Sequence, residues 1–219
     1  MTTLGIIGAG NIGSALAQVA LDAGYDVVIA NSRGPETLAD LVDRLARRPS
    51  SRGTIRAATA AEAAAAGDLA VVTVPLKAYR DVPVEPLAGK VVIDTNNYYP
   101  GRDGRIAALD DSSATSSGLL QEHLGSARVV KAFNHIGAAD IVARRTPEGT
   151  PHRRALVVSG DDPSARDVVA QFIGEIGFDV VDLGPLSESR RIEPGTPGYG
   201  PDLDAAGLRD ALARAVTTS

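Results

Sequence analysis

At 219 residues the chain is long enough for one large domain, or a core with an extension, and too short for a series of domains. Its 44% hydrophobic and 22% charged residues exclude wholesale disorder, and 22 Lys and Arg against 27 Asp and Glu leave a net charge of -5, which repels nucleic acid and anionic membrane. The absence of cysteine removes disulfides, thiolate metal sites and thiol nucleophiles, and His123, His135 and His152 form no spaced pair, so no metal is expected. Arg47, Arg48 and Arg52 are the densest basic group and read as a solvated face rather than a phosphate track. The N-terminal apolar run is too short for a signal peptide, and no apolar stretch reaches the roughly 18 residues of a membrane span, so a cytoplasmic protein without a membrane partner is expected.

Residues 4–8, Leu-Gly-Ile-Ile-Gly, predict a strand ending in glycine. Ile12, Ala15, Leu16, Val19 and Ala20 then recur at helical spacing until Gly24 stops the helix. Between strand and helix lies Gly8-Ala9-Gly10-Asn11-Ile12-Gly13, a G-x-G-x-x-G in the setting that a dinucleotide-binding turn requires. Gly8 permits the tight turn, Gly10 lets backbone N–H groups approach a pyrophosphate, and Gly13 lets the helix lie close to the strand. The helix N-terminus adds unpaired N–H donors and the positive end of its dipole.

Residues 25–30 form a second apolar strand, closed by the polar turn Asn31-Ser32-Arg33-Gly34. Asp or Glu normally holds a ribose 2′-hydroxyl at this place. An amide, a hydroxyl and a guanidinium supply donors and positive charge to a 2′-phosphate instead, so the expected cofactor is NADP(H) rather than NAD. Pro35 suits a first helical turn, and Leu38, Leu41, Val42 and Leu45 form the buried stripe of that helix. The alternation continues with a strand near 54–58, an Ala-rich helix near 60–66, a strand over 69–74, a helical turn after Pro75 and a strand over 90–94.

Thr73-Val74-Pro75 ends the fourth strand at the carboxyl edge, where ligands gather in an open parallel sheet. Pro75 has no N–H and either stops the strand or presents a flat apolar wall to a nicotinamide ring. Asn96, Asn97, Tyr98 and Tyr99 follow the fifth strand on the same edge, and Asn134 and His135 follow a sixth strand over 128–133. Asp94, Thr95, Asn96, Asn97, Tyr98 and Tyr99, with Asn134 and His135, are the candidate substrate wall. No catalytic residue is assigned; Asn134 and His135 are the candidates, and His135 reads either as an acid or base near neutral pH or as a hydrogen-bonded structural histidine. The two tyrosines either stack on a ring or pack a loop.

A helix over 136–143 precedes a charged, Gly- and Pro-containing segment over 144–154 that reads as a linker. A strand over 155–159, a helix over 163–176, a strand over 178–183, a Gly- and Pro-bearing tail and a terminal helix over 203–215 with Leu208 and Leu212 on one face complete the chain. Uniformly apolar strands interleaved with helices indicate a Rossmann-like, doubly wound, mainly parallel α/β sheet covered on both faces. We expect a single compact domain, with a core over about 1–143 and a C-terminal α/β extension over about 154–219. The extension is expected to cover the strand ends or a partner subunit, giving a homodimer.

The fingerprint with Asn11, the Asn-Ser-Arg turn, Thr73-Val74-Pro75, residues 129–134 (Val-Val-Lys-Ala-Phe-Asn), Ser159-Gly160-Asp161-Asp162 and residues 182–186 (Asp-Leu-Gly-Pro-Leu) together resemble the coenzyme F420-dependent NADP oxidoreductases. They are also similar to the cytosolic oxidoreductase domain of the Steap metalloreductases. The resemblance runs from Leu4 to about Arg191. It implies direct hydride exchange between C4 of NADP(H) and C5 of a deazaflavin (F420), or a flavin in the Steap-like reading, as small-molecule redox co-substrate. Such a reaction needs positioning and water exclusion more than a proton-transfer residue. The resemblance puts Gly10, Asn11 and Ile12 on the pyrophosphate, Ser32 and Arg33 on the 2′-phosphate, and Val74, Pro75, Leu76, Ile136, Gly137 and Ala138 at the nicotinamide. Thr37 stands where the family often has a basic residue, Leu76 where the F420 enzymes commonly have an aromatic one, and Asn134-His135-Ile136-Gly137 replaces a His-Thr-Ile-Pro-like segment. Two other readings stay open. A reductase of a small imine or carbonyl compound is disfavoured because such relatives carry a sizeable all-helical domain where only about 85 residues remain here. A binding module would sense NADPH without turnover.

Overall fold

The computed structural model describes residues 2–215; Met1 and residues 216–219, the end of the expected extension, lie outside the described residues. Strand and helix alternate through the first half as β1 (Thr3–Ile7), α1 (Asn11–Ala23), β2 (Asp26–Ala30), α2 (Ala39–Ala46), β3 (Ile55–Ala57), α3 (Ala60–Ala66), β4 (Leu69–Val72) and β5 (Val91–Asp94). Two single-turn helices, α4 (Pro100–Asp103) and α5 (Ala107–Asp110), lead to α6 (Ser116–Leu124). Then come β6 (Arg128–Lys131), α7 (Ala138–Ala143), β7 (Ala155–Gly160), α8 (Pro163–Ile176), β8 (Asp179–Asp182) and α9 (Ala205–Arg214). The stretches Pro35–Leu38, Leu76–Asp81, Glu85–Leu87 and Leu186–Ile192 are 3-10 helices.

The eight strands form one sheet in the order β3-β2-β1-β4-β5-β6-β7-β8, a Rossmann-like doubly wound arrangement. The strands from β3 to β6 pair in parallel; β7 pairs with β6 in the opposite sense through Val130↔Gly160 and Lys131↔Ser159, and β8 runs parallel to β7. The chain moves outward from β1 to β3 and then restarts at β4 on the other side of β1. That reversal opens a crevice between the carboxyl ends of β1 and β4.

Side chains alternate across the strands, so a run of apolar residues buries both faces of the sheet. Leu4, Ile6, Val27, Ile29, Val71 and Ile93 point to the face covered by α1 and α8, where Leu16, Val19, Val169 and Phe172 meet them. Ile7, Ala70, Val72, Val92 and Val129 point the other way, against Leu120 and Leu124 of α6. Each large aliphatic side chain fully buried here contributes roughly 1.5–3 kcal/mol. The helix ends follow local chemistry. Thr59 and Glu62 make a capping box on α3, and Asp162 accepts from Ala165 N–H ahead of Pro163 at the start of α8.

The segment over 144–154 is not the loose linker its composition suggests. Arg145 pairs with Asp22 at 3.1 Å, and the buried Arg153 and Arg154 pair with Asp179 and Asp140, each at 3.0 Å. Those ion pairs bind it to α1, β8 and α7. The terminal helix lays Leu208 and Leu212 on Ala155, Val157, Val181 and Ile192, so its apolar face is used within the chain. Among the described residues no helix is long and apolar enough to cross a membrane.

Candidate functional site

The glycine turn is built as the dinucleotide fingerprint requires. Gly8 has φ +115°, in the left-handed region that disfavours other residues, and a Cβ there would lie 2.2 Å from the Thr73 carbonyl oxygen. A Cβ on Gly13 would lie 1.9 Å from the Gly8 carbonyl oxygen, so α1 approaches the strand end only because residue 13 has no side chain. Gly10 is different: no atom lies within 4 Å of a Cβ built on it. The open space in front of Gly10 adjoins the start of α1, where no side chain caps the first N–H groups.

A cleft of about 480 Å³ runs from this turn toward β2 and is lined by Gly8, Ala9, Gly10, Asn31, Ser32, Arg33 and by Thr73, Val74 and Pro75 of the β4 end. Asn31 organises the turn that carries Arg33. Its Oδ1 accepts from the Arg33 N–H at 3.0 Å, and its amide donates to the Thr37 hydroxyl at 2.8 Å, which in turn donates to the Gly34 carbonyl at 2.8 Å. Thr37 therefore shapes this loop where a basic residue would have added charge. The cleft also takes in Ala60, Ala78, Asp81 and Val82, which were not singled out from the sequence.

A second cavity of about 380 Å³ shares Gly10, Thr73, Val74 and Pro75 with the first, so the two flank the β1 and β4 ends as one continuous site. It brings together Asn11, Ile12, Asn96, Asn97, Asn134, Ile136 and Gly137. Asn97 donates to the Asn134 carbonyl at 2.7 Å, and Asn134 donates to Asn97 Oδ1 at 3.1 Å and to the Ile192 carbonyl at 2.7 Å. Asn96 is buried; its Oδ1 accepts from the Val74 N–H at 3.2 Å.

Five expected members do not line either cavity; one of them, Asp94, is fully buried beneath the second. Tyr98 turns away: its hydroxyl donates to Asp110 at 2.9 Å and accepts from the Ile106 N–H at 3.0 Å, a loop-packing role. Leu76 is fully buried in the first turn of its 3-10 helix, and Ala138 packs on the core from the start of α7. His135 points into the core, where Nε2 accepts from the Val157 N–H at 3.1 Å and Nδ1 donates to Asn134 Oδ1 at 3.1 Å. Burial, with the charges of Arg154 and Lys131 adding to it, pushes its pKa down to about 3. The imidazole is neutral near pH 7 and out of reach of a ligand, so of the two readings of His135 the geometry fits the structural one.

Three residues not assigned to the site from the sequence, Arg102, Phe133 and Tyr199, line the second cavity, as do Thr95 and Tyr99 of the expected wall. The hydroxyls of Tyr99 and Tyr199 meet at 2.5 Å, tying the C-terminal tail to the loop after β5. Arg102 lies 4.9 Å from the Tyr99 ring centroid and donates to the Asn97 carbonyl at 2.8 Å. Burial, then the bond to Tyr99, pushes the Tyr199 phenol up to about 12. Phe133, also on the cavity wall, has φ +60°, a conformation few bulky residues adopt.

Beneath the cavity lies a buried polar cluster. The fully buried Lys131 ammonium donates to the Asn96 carbonyl at 2.5 Å and the Ser116 hydroxyl at 2.7 Å, and stands 3.4 Å from Asp94. Asp94, also fully buried, accepts from the Ser117 hydroxyl at 2.5 Å and from the Asn96 N–H at 2.9 Å. Among the described residues no group of His, Cys, Asp and Glu is arranged to hold a metal ion.

Residues 3–98 match the family model described as "NADP oxidoreductase coenzyme F420-dependent". The F420-dependent NADP reductase of Methanothermobacter marburgensis is 30% identical over 201 residues, 87% of each chain. Among solved structures, a hypothetical protein SMa0349 from Sinorhizobium meliloti is similar with TM-score 0.75 and 34% identity over 93% of each chain. A putative F420-dependent NADP-reductase from Arthrobacter sp. FB24 has TM-score 0.70 and 26% identity over 87% of each. The chain spans only 50% of another curated relative, the putative protein YjhV of Escherichia coli, and 35% of the metalloreductase STEAP3 of Rattus norvegicus. An identity of 30% across nearly the full length of both sequences, over the site just described, means that the chain belongs to the coenzyme F420-dependent NADP oxidoreductase family.

Proposed function

We propose that the protein is an NADPH-linked oxidoreductase whose acceptor is a planar deazaflavin or flavin. The observation that carries this reading is the continuous site around the β1 and β4 ends. It has open space in front of Gly10, an Asn-Ser-Arg turn at one end and an asparagine-lined cavity at the other. In this reading the N–H groups after Gly10 hold the pyrophosphate, Ser32 and Arg33 hold the 2′-phosphate, and Val74, Pro75, Ile136 and Gly137 flank the nicotinamide. Asn96, Asn97 and Asn134 face the acceptor. Bound NADPH supplies a hydride, one proton with two electrons, and the acceptor takes it up together with one proton from solvent.

What the chain itself contributes is orientation and exclusion of water. Its Tyr99–Tyr199 pair walls the cavity, and its asparagine network sets the cavity floor. Proton exchange by the side chains is not called for: His135 stays neutral with its pKa near 3, and the Tyr199 phenol, at about 12, stays protonated. The test is NADPH oxidation followed spectroscopically against a panel of F420, FMN, FAD and riboflavin. Oxidation with at least one ring system supports the reading. Calorimetry that detects no NADPH binding, or binding without oxidation by any member of the panel, overturns it.

A further inference from the structure

We propose that the Asn96 side-chain amide is a built hydrogen-bond donor for a ring-borne carbonyl oxygen of the redox pair: the carboxamide oxygen of the nicotinamide or a carbonyl of the acceptor ring. The inference rests on reading the second cavity as the place where the two rings meet.

Asn96 lines that cavity and is 3% exposed, yet its Nδ2 has no hydrogen-bond partner. A buried donor without an acceptor is unfavourable, and native folds carry few of them. The orientation of the amide is fixed. Oδ1 accepts from the Val74 N–H, and a flipped amide would set NH₂ against that N–H. The main chain of Asn96 is also held on both sides, its N–H by Asp94 at 2.9 Å and its carbonyl by the buried Lys131 at 2.5 Å. Relaxation toward another partner would break this support. The neighbouring amides differ: those of Asn97 and Asn134 are bonded to each other's residues and to Ile192. Asn96 therefore presents a rigid, desolvated N–H donor, the arrangement that gains most from a carbonyl oxygen and discriminates most against a ligand lacking one.

Asn96→Asp keeps an oxygen for the Val74 N–H and removes the donor; Asn96→Ala removes the whole amide. Thermal melting reports whether each variant is folded. NADPH fluorescence titration gives Kd for NADPH, calorimetry gives Kd for 2′-phospho-ADP-ribose, which lacks the nicotinamide, and steady-state assays give kcat and KM for F420 and FMN. If the carboxamide is the acceptor, NADPH binding weakens about tenfold or more and the fragment is unaffected. If the acceptor ring is the partner, NADPH binding is unchanged while kcat/KM for F420 or FMN falls about tenfold. As a measurement on the wild-type protein, selective ¹⁵N-asparagine labelling follows the Asn96 NH₂ resonances. They are expected to move downfield with NADPH or with the acceptor.

Failure of the wild type to bind NADPH removes the site reading itself. Normal wild-type binding overturns this inference alone in either of two cases: folded variants behave within twofold of wild type for every ligand, or the NH₂ resonances stay still. Equal weakening of NADPH and the fragment, a general distortion, also overturns it.

Discussion

Replacing Lys131 by methionine removes the cation from a fully enclosed cluster while keeping nearly the same volume. Asp94, with no exposed surface, would keep the Ser117 hydroxyl and the Asn96 N–H but lose its opposite charge, and the Asn96 carbonyl and Ser116 hydroxyl would lose their shared donor. Stranding one partner of a buried ion pair costs about 3–5 kcal/mol, mostly the penalty of an uncompensated charge. For a chain of 219 residues, about 2–4 °C of Tm per kcal/mol gives a fall of roughly 6–20 °C. Because the penalty belongs to the unpaired carboxylate, the double variant Asp94→Asn with Lys131→Met should recover at least half of the loss. Urea denaturation followed by far-ultraviolet circular dichroism measures all four corners of the cycle. A Lys131→Met variant within about 1 kcal/mol of wild type would refute the reasoning, as would a double variant as unstable as the sum of the singles.

Arg33→Ala should weaken NADPH by about 1.5–3 kcal/mol, the range for a charged hydrogen bond, and leave NADH nearly unchanged; parallel titrations of the two coenzymes check this, and equal effects on both would remove Arg33 from the 2′-phosphate. Gly13→Ala puts a methyl 1.9 Å from the Gly8 carbonyl oxygen, so α1 must shift from the strand end; a stability loss of about 1–3 kcal/mol and a clear rise in Kd for NADPH are expected from denaturation and calorimetry. His135 titrates near 3 in the fold against an ordinary 6.5, so between those values the unfolded chain binds the extra proton. Its contribution is therefore constant above about pH 6.5, and stability falls as pH drops below it, by up to about 1.4 kcal/mol per pH unit. In His135→Gln that part of the acid dependence should disappear from denaturation curves between pH 4 and 7, and an NMR titration of wild-type His135 with a midpoint above 5 would contradict it.

Features with local physical requirements could be read from spacing. The turn from Gly8 to Gly13 needs a left-handed residue, an open backbone and a close helix within six positions, and the chain meets each need in order. The alternating strands and helices of the first half have the same local character. Residues 98–125 have no such signature. The turns α4 and α5 are four residues each, and α6 carries little apolar periodicity because its buried face includes Ser116 and Ser117, which serve the Asp94–Lys131 cluster. A serine facing inward looks like a loop residue until its buried partner, here 15 or 23 positions away, is in view.

The side chains whose placement spacing leaves open share a cause of the same kind. After β6, simple alternation leaves His135 free to face either way, and what turns it inward is a backbone event at Phe133, whose φ of +60° no propensity of phenylalanine foretells. With that turn made, the imidazole meets the Val157 N–H of β7, and Asn134 takes the place on the cavity wall. Tyr98 and Tyr99 separate in a similar way. Asp110, twelve positions on, takes the first hydroxyl, and Tyr199, a hundred positions on, takes the second and brings the tail to the cavity. The wall nearest the proposed acceptor is thus assembled from the β5 loop, the β6 turn and the C-terminal tail, whose mutual positions are set by the sheet order. The proposed NADPH end is written largely in two continuous turns. Acceptor preference should therefore respond to substitutions in the tail, Tyr199→Phe and Tyr199→Ala first among them, with Kd for NADPH held within about twofold. A tail variant that changed both ligands equally would show that the two ends of the site are not separately built.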